Sequence, residues 1–436
     1  VHGLQTAEAA GLAMVPGTLE KGLAWLKGYE AEQVRRLKLW KKEDAPTGAK
    51  SAADSTDALV RMILAEAGMG NGEMTEFLYR DRNGLPVYAK ALFGLALHAE
   101  KQVEKRDMLL RNIEQYLVRD EENQTARLDV RNASFWWSWY GSDIEANAFY
   151  LKLLARVKPK SAEASGVVKY LLNNRRHGSW WTSTRDTAYC IEAMAEYIKA
   201  TGENAPDMTV EVLVDGEVKR TEKITKENLF SFSGTVVLEG GAVTTGKHEV
   251  VIRRTGSGPV YANVYATHFT LEDRIGKAGL EVKVERAYYR LVERKDATAL
   301  VSGSRGQAVG QKVLKYDRVV LKDGETVKSG ELVEVELTVE SKNDYEYLLF
   351  EDLKPAGFEP DDVRSGYTSE GLGAYREFRD NRVGFFVRAL PLGKHNLRYR
   401  VRAEIPGKFS ALPATATGMY APELRANSDE MKVGVE

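Results

Sequence analysis

Three acidic residues, Asp143, Glu145 and Asp186, lie near three arginines, Arg175, Arg176 and Arg185. Paired carboxylates can share general-acid and general-base work on a glycosidic bond. The same acids fall where helices begin, and a helix N-terminus favours a carboxylate with no catalysis at all. The single cysteine sits in Cys190-Ile-Glu-Ala193, one turn before Met194 and Tyr197, and reads as a small core residue. Six histidines (His2, His98, His177, His248, His268 and His395) show no pair at metal-ligand spacing on one helix. Asp54-Ser-Thr-Asp57 lacks the acid density of an isoprenoid cyclase, and Gly68-Met-Gly70 lacks the strand, Lys and Ser/Thr of a phosphate loop. No nucleophile-elbow sequence occurs. The residues assign no catalytic site, no metal and no cofactor.

The acids and the cysteine are positioned by one stretch, Asn173-Asn-Arg-Arg-His-Gly-Ser-Trp-Trp-Thr-Ser-Thr-Arg-Asp-Thr-Ala188, and the helix after it. Leu171 and Leu172 close one helix, Gly178 can take the left-handed conformation that stops it, and Ser183 or Thr184 can cap the next. An echo lies 40 positions earlier, where Trp139-Tyr140 matches Ser179-Trp180 and Asn147-Ala148-Phe149 matches Thr187-Ala188-Tyr189. A weaker copy pairs Asp57-Ala58-Leu59 and Leu64-Ala65-Glu66 with the same helix. Such repetition predicts an array whose equivalent helices share a core. Trp136, Trp137, Trp139, Trp180 and Trp181, with Asp186, are candidate loop anchors of that array, and a carbohydrate-stacking platform is the alternative for the tryptophans.

The chain has 436 residues, 43% of them hydrophobic, with a net charge of −1. That balance argues against a nucleic-acid protein. No run approaches the ~18 apolar residues of a membrane span. All seven Trp and the cysteine precede Thr201, and Gly202-Glu-Asn-Ala-Pro206 marks a change from helical to alternating pattern. Helices are expected at about 4–13, 18–40, 54–68, 71–80, 85–101, 104–119, 142–157, 161–174 and 184–201, with an irregular segment over 120–134. Strands are expected at 209–214, turning at Asp215-Gly216, and at 247–252, 260–269, 280–284, 332–339, 345–350, 383–387 and 397–401. The expected domains are therefore 1–204 (helical), 205–276 (a small β module) and 277–436 (an antiparallel β-sandwich). A start at Val1 without Met or signal peptide reads as a fragment or a processed piece.

Five stretches in order carry a resemblance: Trp139-Tyr-Gly-Ser-Asp-Ile-Glu145, Asn174 to Ala188, Asp323 to Val333, Asp352-Leu-Lys-Pro-Ala-Gly-Phe-Glu359 and Gly418-Met-Tyr-Ala-Pro-Glu423. Together they resemble the C-terminal third of bacterial alpha-2-macroglobulins, relatives of the complement thioester proteins. The resemblance implies an incomplete thioester-domain-like α/α toroid, then a CUB-like β half-module, then a macroglobulin-like sandwich of the receptor-binding type. It also implies a noncatalytic part of a broad-range endopeptidase inhibitor, monomeric, at the cell envelope or in the periplasm, whose partners are target proteases and its own upstream domains.

The family's thioester motif, Cys-x-Glu-Gln, is absent. Cys190-Ile-Glu-Ala193 has Ala where the Gln is indispensable, so Cys190 is not the thioester cysteine and any such segment would lie upstream. Nine helices are read where the family's toroid needs about twelve. Met419 and Tyr420 match a Met-Tyr pair that covers the thioester in bacterial members, and are candidates for an interdomain lock; a plain sandwich-edge contact is the alternative. Two rival functions stay open: an α/α-toroid enzyme on carbohydrate or isoprenoid, and a thioester-less envelope binding scaffold.

Overall fold

The computed structural model describes the chain except for residues 42–45, 131–141, 177–179, 267–273, 295–297, 303–307, 313–314, 369–370 and 422–423. Helices give way to strands at Asp207. By its contacts the chain divides into two units, one of Val1–Leu172 with Trp180–Thr267, the other of Asn173–Ser179 with His268–Glu436. The three-stranded sheet that follows the helices thus groups with them. No helix among the described residues is long and apolar enough to cross a membrane.

Nine α-helices are described: α1 (His2–Ala9), α2 (Thr18–Leu39), α3 (Ser55–Glu66), α4 (Gly72–Asp81), α5 (Val87–Ala99), α6 (Val103–Glu114), α7 (Asp143–Val157), α8 (Ala162–Asn173) and α9 (Thr184–Thr201). They alternate in character. α5 and α7 are buried almost all round, whereas α2, α4, α6 and α8 bury one side only. A helix apolar on every face needs partners on every face, so α3, α5, α7 and α9 form a row in which each packs on the next. Their starts are encoded locally. Asp54 closes a capping box with Asp57 on α3, and Ser142 and Ser183 cap α7 and α9 by accepting from the backbone N–H of Glu145 and Asp186. Buried Arg61 of α3 ties α2 to the start of α4. It donates to Glu30 at 2.9 Å, and Asn71, the α4 cap, donates to the same carboxylate at 2.9 Å.

The sixth helix, expected to run to 119, ends at Glu114. Leu117–Asp120 instead pairs antiparallel with Thr125–Leu128, inside the segment expected to be irregular. This hairpin is held by tertiary partners invisible to periodicity. Asn147 of α7 accepts from the Leu128 N–H at 2.8 Å, and a Cβ on Gly166 of α8 would stand 2.8 Å from the Ala126 nitrogen. Bare glycine allows that approach.

After α9, Asp207–Val214 is the middle of a three-stranded sheet between Glu217–Thr225 and Val250–Ser257. The hairpin turns at Asp215-Gly216, both with positive φ (52° and 82°), as a type I′ turn requires. The strand expected over 247–252 begins at Val250. His248 and Glu249 are taken up by the turn, where Asp215 accepts from the Glu249 N–H at 2.8 Å and faces the His248 ring at 2.7 Å. Residues 260–266, expected in a strand, form none; Tyr261, Val264 and Tyr265 stay exposed.

The second unit is a β-sandwich. One sheet orders its strands Tyr316–Leu321, Val282–Glu293, Leu332–Ser341, Gly393–Ala403 and Phe358–Pro360. The other runs Gly366–Tyr367, Tyr375–Phe378, Arg382–Leu390, Tyr345–Leu353, Thr415–Gly418, Arg425–Asn427 and Ala278–Gly279. Alternation dictates the faces: Val333, Val335, Leu337 and Val339 point inward from one sheet, Leu348 and Phe350 from the other, into one core. Both patterns break at an inward charge. Arg286 follows Val282 and Val284 in phase, and Asp352 follows Leu348 and Phe350. The two meet at 2.5 Å, essentially without solvent exposure. Arg286 also donates to the Ala411 and Leu412 carbonyls, and Tyr399 donates to Asp352 at 2.8 Å.

A buried ion pair is costly to break from one side, because the remaining charge has no water to fall back on. Asp352→Ala should therefore destabilise the sandwich by about 3–5 kcal/mol, whereas Arg286→Met with Asp352→Leu should recover most of that. Urea unfolding followed by circular dichroism at a wavelength that reports β structure measures both. Equal losses in the single and double variants would show that the pair has no such role.

Candidate functional site

The acids at the helix starts are brought together, but as fastenings. Asp186, in the first turn of α9, accepts from Ser183 of its own cap at 2.9 Å and from Ser142, the cap of α7, at 2.7 Å. One carboxylate thus joins two helix N-termini. Glu145, one turn into α7, faces Arg185 of α9 at 3.1 Å. Both carboxylates are buried, at 2% and 4% exposure, and among the described residues no open cleft lies between them for a sugar. Burial, opposed by Arg185 and reinforced by Asp186, raises the Glu145 carboxyl to about 7. Asp143 lies in the first turn of α7 and completes the acidic charge at these positive helix ends. Sequence reasoning had no means of finding Ser142 as the second partner of Asp186, since the two are 44 positions apart.

The 40-residue echo becomes a set of contacts. Glu145 meets Arg185, Phe149 stacks obliquely on Tyr189 with centroids 4.6 Å apart, Lys152 meets Glu192 at 2.6 Å, and Arg156 meets Glu196 at 2.8 Å. Each pair is 40 apart, so α7 and α9 run parallel with equivalent residues side by side. At the far ends of these helices lies a second charge cluster. Glu66 of α3 meets Arg156 at 2.8 Å, and Glu192 also meets His2 of α1 at 3.0 Å. Burial works against the Glu192 charge, but His2 and Lys152 outweigh it and hold the carboxyl down at about 2.

Cys190 is wholly buried in the helical core, and burial pushes its thiol up. A thiol so placed is protonated and shielded, the opposite of a reactive nucleophile. Trp181 is buried, its indole N–H donating to the Leu171 carbonyl at 2.9 Å, which ties the loop to the end of α8. Trp180 is half-exposed and lines a shallow apolar depression with Thr182, Ser183, Thr184, Thr187, Ala188 and Ile191. Trp136, Trp137 and Trp139 lie outside the described residues. Among the described residues, no group of His, Cys, Asp and Glu could hold a metal.

Met419 and Tyr420 are both exposed, at 48% and 79%, at the end of the strand Thr415–Gly418. Their corner is built by Tyr347. This residue is skipped between the pairs Glu346↔Ala389 and Leu348↔Val387, and takes a left-handed φ of 56°. Its carbonyl accepts the Met419 N–H at 2.8 Å, and its ring meets Tyr420 edge-on at 5.3 Å. A bulky residue in that backbone region costs roughly 1–3 kcal/mol, and such strain concentrates where a side chain must be aimed.

The Glu145 titration has a consequence for stability. With a folded value of about 7 and an unfolded one of 4.5, the folded chain keeps a proton that the unfolded chain has lost. The contribution of Glu145 to the stability of the helical unit is therefore greatest below about 4.5, falls as pH rises between 4.5 and 7, and levels off above. The total change from this group is up to about 3 kcal/mol. Glu145→Gln should flatten that part of the profile, read as urea midpoints by helical circular dichroism at pH 5 and pH 8. An unchanged slope would remove Glu145 as its source.

Residues 282–423 match the family model described as the bacterial alpha-2-macroglobulin MG10 domain. The chain is 23% identical over 386 residues to an alpha-2-macroglobulin homolog of Nostoc sp., covering 86% of this chain and 19% of that protein. An alpha-2-macroglobulin of Xylella fastidiosa is 33% identical over 116 residues, which is 23% of this chain and 7% of the relative. Among solved structures, trypsin-activated alpha-2-macroglobulin from Escherichia coli aligns with 99% of this chain and 26% of its own, at 17% identity and a TM-score of 0.42. The chain spans less than a fifth of the length of these two curated relatives. Over 86% of its length the chain is thus similar to an alpha-2-macroglobulin homolog, and residues 282–423 match the bacterial alpha-2-macroglobulin MG10 domain.

Proposed function

We propose that this chain works in a broad-range protease trap at the bacterial cell envelope, contributing shape and not chemistry. The observation that carries the reading is the MG10 match over residues 282–423, in the sandwich that presents Met419 and Tyr420. In this reading the helices are the later part of an α/α toroid of the thioester-domain kind, and the three strands from Asp207 are half of a CUB-like module. Exposed Val250 and Ile252 on that sheet, with Tyr261, Val264 and Tyr265 beside it, suit a half-module that is completed by other strands.

The chain supplies neither thioester nor nucleophile in this reading. Cys190 is buried and followed by Ala193 in place of the Gln, so covalent capture, where it occurs, belongs to residues upstream. Target proteases and the protein's own preceding domains are the partners. Met419 and Tyr420 serve as the interdomain lock, an apolar plug held in place by Tyr347. An enzyme acting on sugars or isoprenoids is not favoured, since Glu145 and Asp186 are committed to Arg185 and to two serine hydroxyls.

The test is steric protection. The full-length gene product, mixed with trypsin, should leave cleavage of a small chromogenic peptide intact while cleavage of casein falls. Equal loss or equal retention of both activities would sink the trap reading. Intact mass and thiol titration with and without methylamine then sort the mechanism: an adduct with one new thiol places a thioester upstream, and none makes the trap purely steric. Met419→Ala with Tyr420→Ala should leave the sandwich melting unchanged but hasten limited proteolysis of the untreated protein.

A further inference from the structure

The four helices of the row share a polar position about one turn inside their starts. Asp57-Ala58-Leu59 with Leu64 in α3 recurs as Lys90-Ala91-Leu92 with Leu97 in α5. It recurs again as Asn147-Ala148-Phe149 with Leu154 in α7, and as Thr187-Ala188-Tyr189 with Met194 in α9. In α3, α7 and α9 this residue accepts a backbone N–H from the segment that leads into its helix. Asp57 accepts from Asp54 at 2.9 Å, Asn147 from Leu128 at 2.8 Å and the Thr187 hydroxyl from Trp181 at 3.0 Å. A lysine ammonium has three donors and nothing to accept with. Lys90 is 6% exposed, and among the described residues it has no hydrogen-bond or ion-pair partner for its side chain.

The start of α5 is short of acceptors in the same way. α3, α7 and α9 each begin at a capping side chain and carry an acid in the first turn. α5 begins at Pro86, which cannot cap, and its first turn holds no acid. The intrahelical ladder opens with the Lys90 N–H on the Pro86 carbonyl at 3.0 Å, so among the described residues nothing accepts from the N–H groups of Val87, Tyr88 and Ala89. Leu85, Val87 and Ala89 are buried around them. Side chains of a helix lean toward its start, which aims Lys90 back at these same N–H groups. Donors therefore converge, with the positive end of the helix dipole behind them, on a place that lacks any acceptor. Burial pushes the Lys90 amine down from the ordinary lysine range, as befits a cation left without a counter-charge.

We propose that the start of α5 binds one small anionic group with oxygen acceptors, of the sulfate, phosphate or carboxylate kind, held by the N–H groups of Tyr88 and Ala89 and by the Lys90 ammonium. A helix start offers such a group aligned N–H donors, and the buried ammonium adds the opposite charge. The group is either a free ion or a carboxylate from elsewhere in the same protein, since the chemistry that recognises both is the same. Bound there, it does for α5 what the capping side chains and first-turn acids do for α3, α7 and α9. The site owes nothing to protease capture, and its test uses no protease.

Inorganic sulfate is the probe, added to the 436-residue chain at constant ionic strength against chloride. The expected result is a saturable displacement of the Tyr88 and Ala89 amide signals in proton–nitrogen correlation spectra, with a rise in the thermal midpoint read by helical circular dichroism. Lys90→Met should weaken sulfate binding by at least about tenfold, the loss expected for a hydrogen bond to a charged group. Lys199→Met, exposed in the last turn of α9, should leave it unchanged. No displacement, an equal displacement by chloride, or an undiminished response in Lys90→Met overturns the proposal. If Lys90→Met does not fold, the amide signals of the unaltered chain decide alone. Calorimetric titration of the full-length gene product then separates the two sources. Heat of sulfate binding that Lys90→Met abolishes means a free ion; no heat there, with sulfate still bound by the 436-residue chain, means that a carboxylate of the same protein fills the site.

Discussion

The helical unit depends on like residues meeting like positions. α7 and α9 are parallel and in register, so the peptide dipoles of neighbouring helices point the same way and their positive starts crowd together. Left alone, that arrangement would be repulsive at both ends. The chain answers at the starts with Asp186 shared between two serine caps, and with Glu145 under Arg185. It answers at the finishes with Lys152 and Arg156 set among Glu66, Glu192 and Glu196. The acids that look catalytic in the sequence are the electrostatic condition for stacking these helices at all. Burial raises the Glu145 carboxyl, while at Glu192 burial is outweighed by His2 and Lys152, so a perturbed carboxyl here marks structure rather than chemistry.

The sandwich solves a different problem with the same means. Two sheets can slide over an apolar core that is merely greasy, but Arg286 and Asp352 fix one lateral position by meeting between them. Tyr399 and the carbonyls of Ala411 and Leu412 use up the remaining donors and acceptors. The pair carries register more than net stability, since desolvation cancels much of its attraction. With the sheets pinned, Tyr347 holds a left-handed backbone and accepts the Met419 N–H, which fixes the exposed corner of Met419 and Tyr420.

Much of this was legible before any coordinates. The helix boundaries followed from period, caps and the Gly202 stop, and the 40-residue echo announced which helices would be neighbours. Failures fell where local pattern competes with distant partners. The hairpin Leu117–Leu128 was missed because Asn147 and Gly166 stabilise it from other helices. Residues 260–266 alternate as a strand would, yet they join no ladder among the described residues. Trp180 and Trp181 looked alike in the sequence; one is buried and hydrogen-bonded to the end of α8, the other half-exposed.

What the sequence by itself determined is whatever depends on near neighbours: the caps at Asp54, Ser142 and Ser183, the type I′ turn at Asp215-Gly216, and the inward alternation of the sandwich strands. It also kept Cys190 out of a Cys-x-Glu-Gln motif, because Ala193 stands where the Gln would have to be. Only the tertiary structure decided what each charged group is for. Asp186 could have been a catalyst or a cap until Ser142 was found beside it, and Asp352 could have been a surface residue until Arg286 reached it. The physical reason is that a carboxylate's role is set by its dielectric surroundings and its partner's position. Both are assembled from residues tens to more than a hundred positions away, which no local pattern can encode.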